Sequence, residues 1–564
     1  MTSSLPPFLI FFIAAAVIVV LPARLRGPLT LAVPVIGVLN LMAIPDGSWF
    51  DVELLGYHLV LVRMDQLSFL FGLLFHIAAF IGFIFALHVD DRVQQVASIL
   101  YPGSALGAVF AGDMATLFVF WELLALTSVF LILARRTERA YRASMRYLLL
   151  QVTSGLFLLA GAIIWVGETG SIEFGFIGLA GLSSWLIFIA MGIKCGFPFM
   201  HTWATDCYPE ATPTGTVFLS SFTTKVGVYA LARAFPGTEL LVYIGATMTM
   251  FPIFFAVIEN DLRRVLAYSM INQIGFMVCG IGIGTALAVN GAVSHAFNDV
   301  IFKGLLFMSM GAVLYRTGKI DGSALGGLYK SMPKTAALCI VGAASISAFP
   351  LFSGFVSKSM VMVAALEEGH WIVWLALLFA SAGVFHHAGI KIPFFAFFAH
   401  DSGIRVKEAP ANMLVAMAIA AGLCIFIGVY PWLLYGLLPY PVDYEPYTVD
   451  HVLTQCQLLF FSALAFTWLK LTGLYPPELP SVNLDVDWLY RRAMPAVAMA
   501  ALRIVTDIRD AARTLGLGAV GGIGRYVYRH HGPHGVLART WPTGSMAFWA
   551  TLLLAAWLVI YYVR

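Results

Sequence analysis

The stretch Phe118-Val119-Phe120-Trp121-Glu122-Leu123-Leu124 carries one carboxylate in the middle of an apolar run that is long enough to cross a lipid bilayer. Keeping a charge at that depth costs about 2.5 to 3.5 kcal/mol on insertion scales, so such residues usually serve a function. Six more ionisable side chains have similar surroundings: Lys194, Lys225, His295, Asp299, Lys303 and Lys358. The pattern predicts a chain that moves protons or small cations across a membrane.

The composition of the chain is that of a membrane protein. Of its 564 residues, 60% are hydrophobic and only 11% are charged, too few charges for the surface of a soluble domain of this length. The net charge of +3 is small, and the basic residues are scattered over loops, which argues against a nucleic-acid partner. The six cysteines show no ligand spacing, so an iron–sulfur cluster, a zinc site and a disulfide framework are all unsupported, and no cofactor is expected.

The hydropathy pattern predicts an all-α, polytopic membrane protein. A span needs about 20 apolar residues, and on that template the sequence contains about 16 candidate transmembrane helices. Residues 49–64 alternate between apolar and polar side chains around Gly56, which predicts a short hairpin outside the bilayer. Placing the N-terminus outside puts the loops rich in Arg and Lys in the cytoplasm. We therefore expect a multi-pass protein of a bacterial inner membrane.

Two helices interrupted near a lysine suggest an internal repeat. Gly196 and Pro198 follow Lys194, and Pro350 and Gly354 precede Lys358. Broken helices in corresponding halves of a transporter point to an ion site between inverted repeats. We expect two inverted five-helix repeats within five parts: N-terminal helices with the hairpin at 1–95, repeats at 96–234 and 239–400, peripheral helices at 411–472, and a tail at 475–564.

The tail combines a charged segment with a final apolar helix. Residues 494–529 place charges among alanines and aliphatic residues, which is typical of an amphipathic segment that lies along the membrane interface. The helix after it would anchor the chain. If the segment spanned the membrane instead, the C-terminus would change sides.

The intramembrane charges can be read as a path for protons. Glu122 has no neighbouring cation in sequence, and Lys194 is its candidate partner, either in a switchable pair or in a static structural ion pair. His295, Asp299 and Lys303 recur at steps of four and so share one helix face, with about 6 Å of rise between neighbours. Lys225 fits a site between the halves, whereas Lys358 could belong to the path or extend to the interface. His386, His387 and Lys391 form a further polar cluster.

Two motifs of soluble proteins carry no function here. Residues 516–521 satisfy GxGxxG, but no strand precedes them, so a nicotinamide site is not predicted. The group His530, His531 and His534 is better explained as a solvated loop than as a metal site.

Seven runs lie in order over residues 65–360: Asp65-Gln66-Leu67-Ser68, Phe120-Trp121-Glu122-Leu123, Gly192-Ile193-Lys194, Lys225-Val226-Gly227-Val228-Tyr229, residues 261–269, His295 to Lys303-Gly304, and Ser353-Gly354-Phe355-Val356-Ser357-Lys358. In content and order they resemble the antiporter-like membrane subunits shared by respiratory complex I and the Mrp-type multisubunit cation/proton antiporters. The resemblance implies a subunit that works with other subunits of a membrane complex.

The resemblance also implies roles for individual residues. Glu122 and Lys194 match the paired acid and lysine of the family, Lys225 its bridging residue, Lys303 its central lysine and Lys358 its terminal residue. Asp299 stands where the family often has a second histidine. A carboxylate there could hold Lys303 charged or contribute to a cation site.

The branch of the family is chosen on shorter matches. Residues 225–231 (Lys225-Val226-Gly227-Val228-Tyr229-Ala230-Leu231) and residues 485–492 look more like the D-type Mrp subunit, whereas a lateral segment with a final anchor is similar to the distal complex I subunit. We therefore expect a proton-translocating subunit of a Na⁺/proton antiporter, with a proton-pumping subunit of a complex I-type oxidoreductase as the alternative. A scaffold without ion flux is the third possibility, and the full set of charges argues against it.

Overall fold

The computed structural model describes residues 5–54, 56–481 and 483–563. It consists of two units, Met1–Asn483 and Leu484–Arg564. The first unit begins with ten helices: α1 (Pro7–Val20), α2 (Ala23–Met42), α3 (Gln66–Ala86), α4 (Arg92–Phe110), α5 (Met114–Leu133), α6 (Glu138–Thr169), α7 (Gly181–Cys195), α8 (Thr202–Cys207), α9 (Gly215–Ser221) and α10 (Thr223–Ala234). It continues with nine more: α11 (Glu239–Ile258), α12 (Leu262–Ile283), α13 (Ala286–Thr317), α14 (Pro333–Ile346), α15 (Ser353–Glu367), α16 (Trp371–Val384), α17 (Ala411–Val429), α18 (Trp432–Tyr435) and α19 (Val449–Leu471).

Shorter elements complete this unit. Strands β1 (Gly47–Leu54) and β2 (Tyr57–Met64) form an antiparallel hairpin. Helix α16 runs into two π-helical stretches, Phe385–Lys391 and Phe394–Phe398. Single 3-10 turns occur at Tyr208–Glu210, Gly322–Ala324 and Leu328–Lys330.

The helices agree with the predicted spans, but not all of them are long and apolar. By length and composition, eleven helices of the described chain could cross a membrane. The other predicted spans coincide with helices that are short, less apolar or interrupted: α1, α4 and α7, the pair α9 and α10, and the pair α14 and α15. Counting apolar residues found these elements because a broken helix still traverses the bundle. The interruptions predicted after Lys194 and before Lys358 are present, whereas the one at Phe222 was not predicted.

The hairpin predicted around Gly56 is present and is tied to the helix ends. The Asp113 carboxylate, which caps α5, accepts a hydrogen bond from the Val60 amide at 2.9 Å. The Arg63 guanidinium donates to the carbonyl of Phe174, just after α6. The hairpin therefore fastens the start of α5 to the end of α6.

Two runs of helices, α4 to α10 and α11 to α16, repeat the same local design. Helices α6 and α13 each have 32 residues, begin after a threonine cap and end at a left-handed glycine. Asp113 caps α5, and its backbone forms an isolated antiparallel β-bridge with Glu173. Asp261 caps α12 and forms the same kind of bridge with Asp321. The matched caps and bridges are what a repeat requires, and the inversion of one run relative to the other remains a prediction.

The interruption between α14 and α15 depends on a close backbone approach. Ala348 and Leu351 have positive φ angles of 58° and 72°, which turns the chain sharply around Pro350. A Cβ atom on Gly354 would lie 1.9 Å from the carbonyl oxygen of Ser345, so any larger residue would force the two segments apart. The break is therefore built into the sequence.

The interior of the first unit is centred on α12 and α13. Both helices are buried along almost their whole length, unlike the peripheral helices α2 and α19. A helix that is buried on all sides can hold polar residues only if neighbouring helices supply their partners. The ionisable residues of α13 therefore face other side chains rather than lipid.

The second unit contains a π-helical stretch (Leu489–Ala493), α20 (Met494–His531), a 3-10 turn (Val536–Ala538) and α21 (Thr543–Val563). Helix α20 is a single element of 38 residues that includes the whole predicted amphipathic segment. Its alignment along a membrane remains a prediction. Helix α21, the predicted anchor, is one of the eleven helices that could span.

Candidate functional site

The seven ionisable residues predicted from the sequence lie on five helices of the first unit. Glu122 is on α5, Lys194 on α7, Lys225 on α10 and Lys358 on α15, while His295, Asp299 and Lys303 are on α13. Glu122 is half-buried and the other six are buried. We call these seven side chains the polar axis.

Glu122 and Lys194 do not form an ion pair in this state, because each side chain has other neighbours. The Lys194 ammonium donates to the Trp121 carbonyl and to Oε1 of Gln151, both at 3.1 Å, and lies 4.8 Å from the centre of the Trp121 ring. The Glu122 carboxylate lies against Gly155 of α6, where an added Cβ would be 1.4 Å from Oε1. That oxygen accepts no hydrogen bond from any described residue. The two charges still interact through space.

Lys225 and Asp299 form the closest contact of the polar axis. The Lys225 Nζ atom lies 2.6 Å from Oδ2 of Asp299, and both side chains are 0% exposed. Lys225 also donates to the Ser220 carbonyl at 3.1 Å, at the end of α9 and just before the helix is interrupted at Phe222. Oδ1 of Asp299 has no hydrogen-bond partner among the described residues. The pair links the last helix of the first run to the central helix of the second.

His295 and Lys303 lie one turn to either side of Asp299 and contact α12 and α15. The His295 ring lies between Oε1 of Gln273 and the Ser357 hydroxyl, both 3.1 Å from a ring nitrogen. Because an amide oxygen can only accept, the nitrogen that faces Gln273 is the donor. The Lys303 ammonium donates to the Ser269 hydroxyl at 2.7 Å.

Lys358 lies beside the interruption and does not extend to the interface. Its side chain is 1% exposed, which contradicts the interface alternative. Its ammonium donates to the Ile346 carbonyl at 3.0 Å and lies 5.1 Å from the centre of the Phe276 ring. Since α14 ends at Ile346, the break frees a carbonyl that a continuous helix would use internally.

The matched helices α6 and α13 differ in chemistry at matched positions. Counted from the threonine caps, His295, Asp299 and Lys303 correspond to Tyr147, Gln151 and Gly155. Gln151 holds Lys194, and the empty space at Gly155 takes the Glu122 carboxylate. The corresponding face of the first run therefore carries no ionisable group near neutral pH, and its charge comes from α5 and α7.

Sequence reasoning missed the neutral polar residues that hold the charged ones. Gln151, Gln273, Ser269 and Ser357 each contact a residue of the polar axis and are fully buried. Amides within predicted spans were the available signal, because a buried amide needs partners of its own. The described residues contain no cluster of three His, Cys, Asp or Glu side chains suited to a metal ion.

Comparison with known proteins gives a consistent result. Residues 111–385 match the family model described as NADH:quinone oxidoreductase/Mrp antiporter, transmembrane. The chain is 30% identical to the D-type subunit of the Na⁺/H⁺ antiporter of Alkalihalophilus pseudofirmus over 55% of this chain and 66% of that protein. It is 28% identical to Hydrogenase-4 component B of Escherichia coli K12 over 57% of this chain and 55% of that protein.

A solved structure of the Mrp complex from Dietzia sp. DQ12-45-1b contains a similar chain. The TM-score is 0.75 at 25% identity, and the match covers 92% of this chain and 62% of that chain. The chain spans about half the length of the first curated relatives that it matches.

Proposed function

We propose, from the premise that residues 111–385 belong to the NADH:quinone oxidoreductase/Mrp antiporter family, that this chain is a proton-translocating subunit of a multisubunit Na⁺/proton antiporter. It works with other subunits of a membrane complex and catalyses no covalent chemistry itself. It resides in a bacterial inner membrane, with the N-terminus outside. The seven residues of the polar axis carry the protons.

The observation that carries this proposal is the buried Lys225–Asp299 pair. A fully buried ion pair contributes little to stability, because desolvating two charges offsets their attraction. Its retention between two runs of helices is better explained by transport than by packing. With one carboxylate oxygen unpaired and Lys303 one turn away on the same helix, Asp299 has a second lysine within reach of a rotamer change.

The proposed path joins Lys225 on α10, the three residues of α13 and Lys358 on α15. A proton enters beside the interruption at Phe222 and reaches Lys225. It passes by way of Asp299, His295 and Lys303 and leaves near Lys358. Glu122 and Lys194 gate the transfer. If the carboxylate moved from Gly155 toward Lys194, it would stabilise the charged ammonium and prevent Lys194 from releasing its proton. The Na⁺ arm belongs to partner subunits, since hard cations prefer clustered oxygen ligands and this axis is mostly lysine.

The test uses everted membrane vesicles that contain the complete complex in a host without its own antiporters. Addition of NaCl should collapse a preformed pH gradient, followed with an acridine dye. Lys303→Gln should reduce the rate at least tenfold at equal amounts of complex, whereas Lys319→Gln, in an exposed loop, should leave it unchanged. Wild-type rates in Lys303→Gln would overturn the proposal.

The second candidate is a proton-pumping subunit of a redox complex of the complex I type. The matching family model names NADH:quinone oxidoreductase beside the Mrp antiporter, so this candidate is tested in parallel. If it holds, the same vesicles should acidify on addition of NADH, and NaCl without a reductant should have no effect.

A further inference from the structure

The second unit carries a strong excess of positive charge from the middle of α20 onward. Residues 511–564 contain no Asp or Glu. The basic side chains on the described part of this range are Arg513, Arg525, Arg529, Arg539, His530, His531 and His534. Basic residues next to a membrane-spanning helix attract anionic lipid headgroups. None of these side chains belongs to the polar axis, so their role lies outside the ion path.

The connection between α20 and α21 keeps this charge close to the membrane. Helix α20 ends at His531, and α21, which is long and apolar enough to span, begins at Thr543. The connecting segment folds back, because the Gly532 amide donates to the Tyr528 carbonyl at 2.8 Å and the 3-10 turn at Val536–Ala538 packs against α20. The last turns of α20 therefore lie near the end of the anchor helix, at the level of the lipid headgroups.

A cavity of about 700 Å³ lies between the last turns of α20 and this connection. Arg525 and Arg529 line it from the helix, and His534 lines it from the connection. The two arginines are four residues apart, so they share one face of α20 with about 6 Å of rise between them. Two positively charged guanidinium groups therefore border the same space.

Glycines on both sides create this cavity. A Cβ on Gly532 or Gly535 would lie 2.3 or 2.5 Å from a carbonyl oxygen of α20, so only glycine lets the connection approach the helix so closely. On the helix side, a Cβ on Gly521 or Gly524 would meet nothing within 4 Å. The close approach holds His534 against the cavity, while the missing side chains on α20 leave the space open.

The lining of the cavity suits a phosphate group. Guanidinium groups bind phosphate oxygens through paired, charge-assisted hydrogen bonds. The Nε atom of Arg525 donates to the Gly521 carbonyl at 3.3 Å, and its terminal nitrogens make no hydrogen bond to a described residue. The residues that line the cavity include no carboxylate. An anion that enters therefore meets positive charge without an opposing negative one.

The surroundings favour a lipid over a soluble anion. Val536 and Leu537, in the 3-10 turn beside the cavity, are 64% and 68% exposed. Exposed aliphatic side chains next to a basic site suit a ligand that has an anionic head and an apolar body.

We propose that this cavity binds the headgroup of an anionic phospholipid, with the phosphate between Arg525 and Arg529 and the acyl chains alongside α21. The lipid fastens the end of α20 to the membrane. This role does not depend on the proposed function, because lipid binding at the second unit requires no ion transport.

A purely topological role is the alternative for the arginines. Basic residues beside an anchor helix set its orientation, and in that case they attract anionic lipid diffusely, without a defined site. The two roles differ in what happens when the cavity is filled. Gly524→Leu places a side chain in the cavity and leaves the charge unchanged. Gly516→Leu adds the same side chain to the same helix outside the cavity, at a position where a Cβ also meets nothing within 4 Å.

The experiment uses the assembled complex in vesicles of phosphatidylethanolamine that contain a small fraction of phosphatidylglycerol with a photoactivatable diazirine near its headgroup. After illumination, mass spectrometry quantifies the lipid attached to peptides that contain residues 521–535. Gly524→Leu, and the double variant Arg525→Gln with Arg529→Gln, should each reduce the attachment at least fivefold.

Two control variants should keep the wild-type attachment: Gly516→Leu, and Arg513→Gln, which removes a charge from α20 at a position outside the cavity. A matching diazirine phosphatidylethanolamine should attach at least fivefold less than the phosphatidylglycerol probe. Excess unlabelled phosphatidylglycerol should compete with the probe, whereas inorganic phosphate should not.

The outcomes separate the defined site from its alternatives. Wild-type attachment in Gly524→Leu, or equal losses in Gly524→Leu and Gly516→Leu, overturns the proposal in favour of diffuse attraction. Equal attachment of the two probes overturns recognition of the negative headgroup, and displacement by inorganic phosphate means a site for a soluble anion. If the double arginine variant fails to assemble, Gly524→Leu decides, because it changes no charge.

Discussion

Lys225 and Asp299 are joined by a 2.6 Å contact between two side chains that no solvent reaches. Lys225 comes from the last helix of the first run and Asp299 from the central helix of the second, so the contact is also the junction between the two halves. Removing one partner of a buried ion pair costs about 3 to 5 kcal/mol, because the other charge is left without compensation.

Asp299→Asn should therefore destabilise the subunit and stop transport, whereas the double variant Asp299→Asn with Lys225→Gln should recover stability without recovering transport. Thermal denaturation of the complex in detergent gives the first quantity, and vesicle flux gives the second. A double variant that transports at the wild-type rate would show that the pair is only structural.

Gly155→Ala should impair transport through Glu122. The new methyl group would occupy the space of the Glu122 carboxylate, whose end is flexible and would move away. We expect the Gly155→Ala complex to assemble and its proton flux to fall several-fold. Glu122→Gln, the reference variant, should have no flux.

The matched control for that substitution is Gly167→Ala on the same helix, where an added Cβ meets nothing within 4 Å. This variant should transport normally, and alanine should stabilise the helix by up to about 1 kcal/mol. Equal effects of the two substitutions would mean that helix propensity, and not Glu122, is responsible.

Gln151 should determine how firmly Lys194 is held. Gln151→Glu would set a carboxylate about 3 Å from the ammonium and fix its charge, because an adjacent anion favours the ionised lysine. We expect normal assembly with a large loss of flux. Leu156→Ala, at an exposed position of α6, serves as the control. Unchanged flux in Gln151→Glu would remove Lys194 from the gate.

Asp65 should make the stability of the first unit depend on pH in the acidic range. Burial raises the pKa of this carboxyl, but hydrogen bonds and the charge of Arg233 outweigh burial and hold the pKa below its ordinary value. A carboxyl with a depressed pKa stabilises the folded state above the unfolded value of about 3.9 and loses that contribution as the pH falls below it.

The melting temperature of wild type should therefore exceed that of Asp65→Asn at pH 6, and the difference should shrink near pH 3. A difference that stays constant with pH would assign the effect to the helix cap, since Asp65 also accepts a hydrogen bond from the Ser68 amide.

The sequence predicted the helices correctly where hydropathy alone determines the secondary structure. Every predicted span coincides with a helix or a broken helix, because about 20 apolar residues in a row have few alternatives. The interruption between Ile346 and Ser353 was indicated by Pro350 and Gly354. The one at Phe222 was missed, since a carbonyl taken up by a lysine leaves no trace in hydropathy.

The candidate site was predicted in its ionisable residues but not in its pairing. Lys194 is bound to Gln151 and Trp121 instead of Glu122, and Asp299 lies against Lys225 instead of Lys303. Pairing depends on which helix faces which and on rotamers a few ångströms apart, and sequence spacing along one helix constrains neither.

The equal lengths and caps of α6 and α13 have a consequence for direction. If the predicted inverted repeats had the same chemistry, a two-fold rotation about an axis in the membrane plane would relate them, and a proton would meet the same surroundings from either side. Here a tyrosine, an amide and a glycine in one half stand against a histidine, a carboxylate and a lysine in the other. The two halves therefore offer different groups to a proton that arrives from one side and to a proton that arrives from the other.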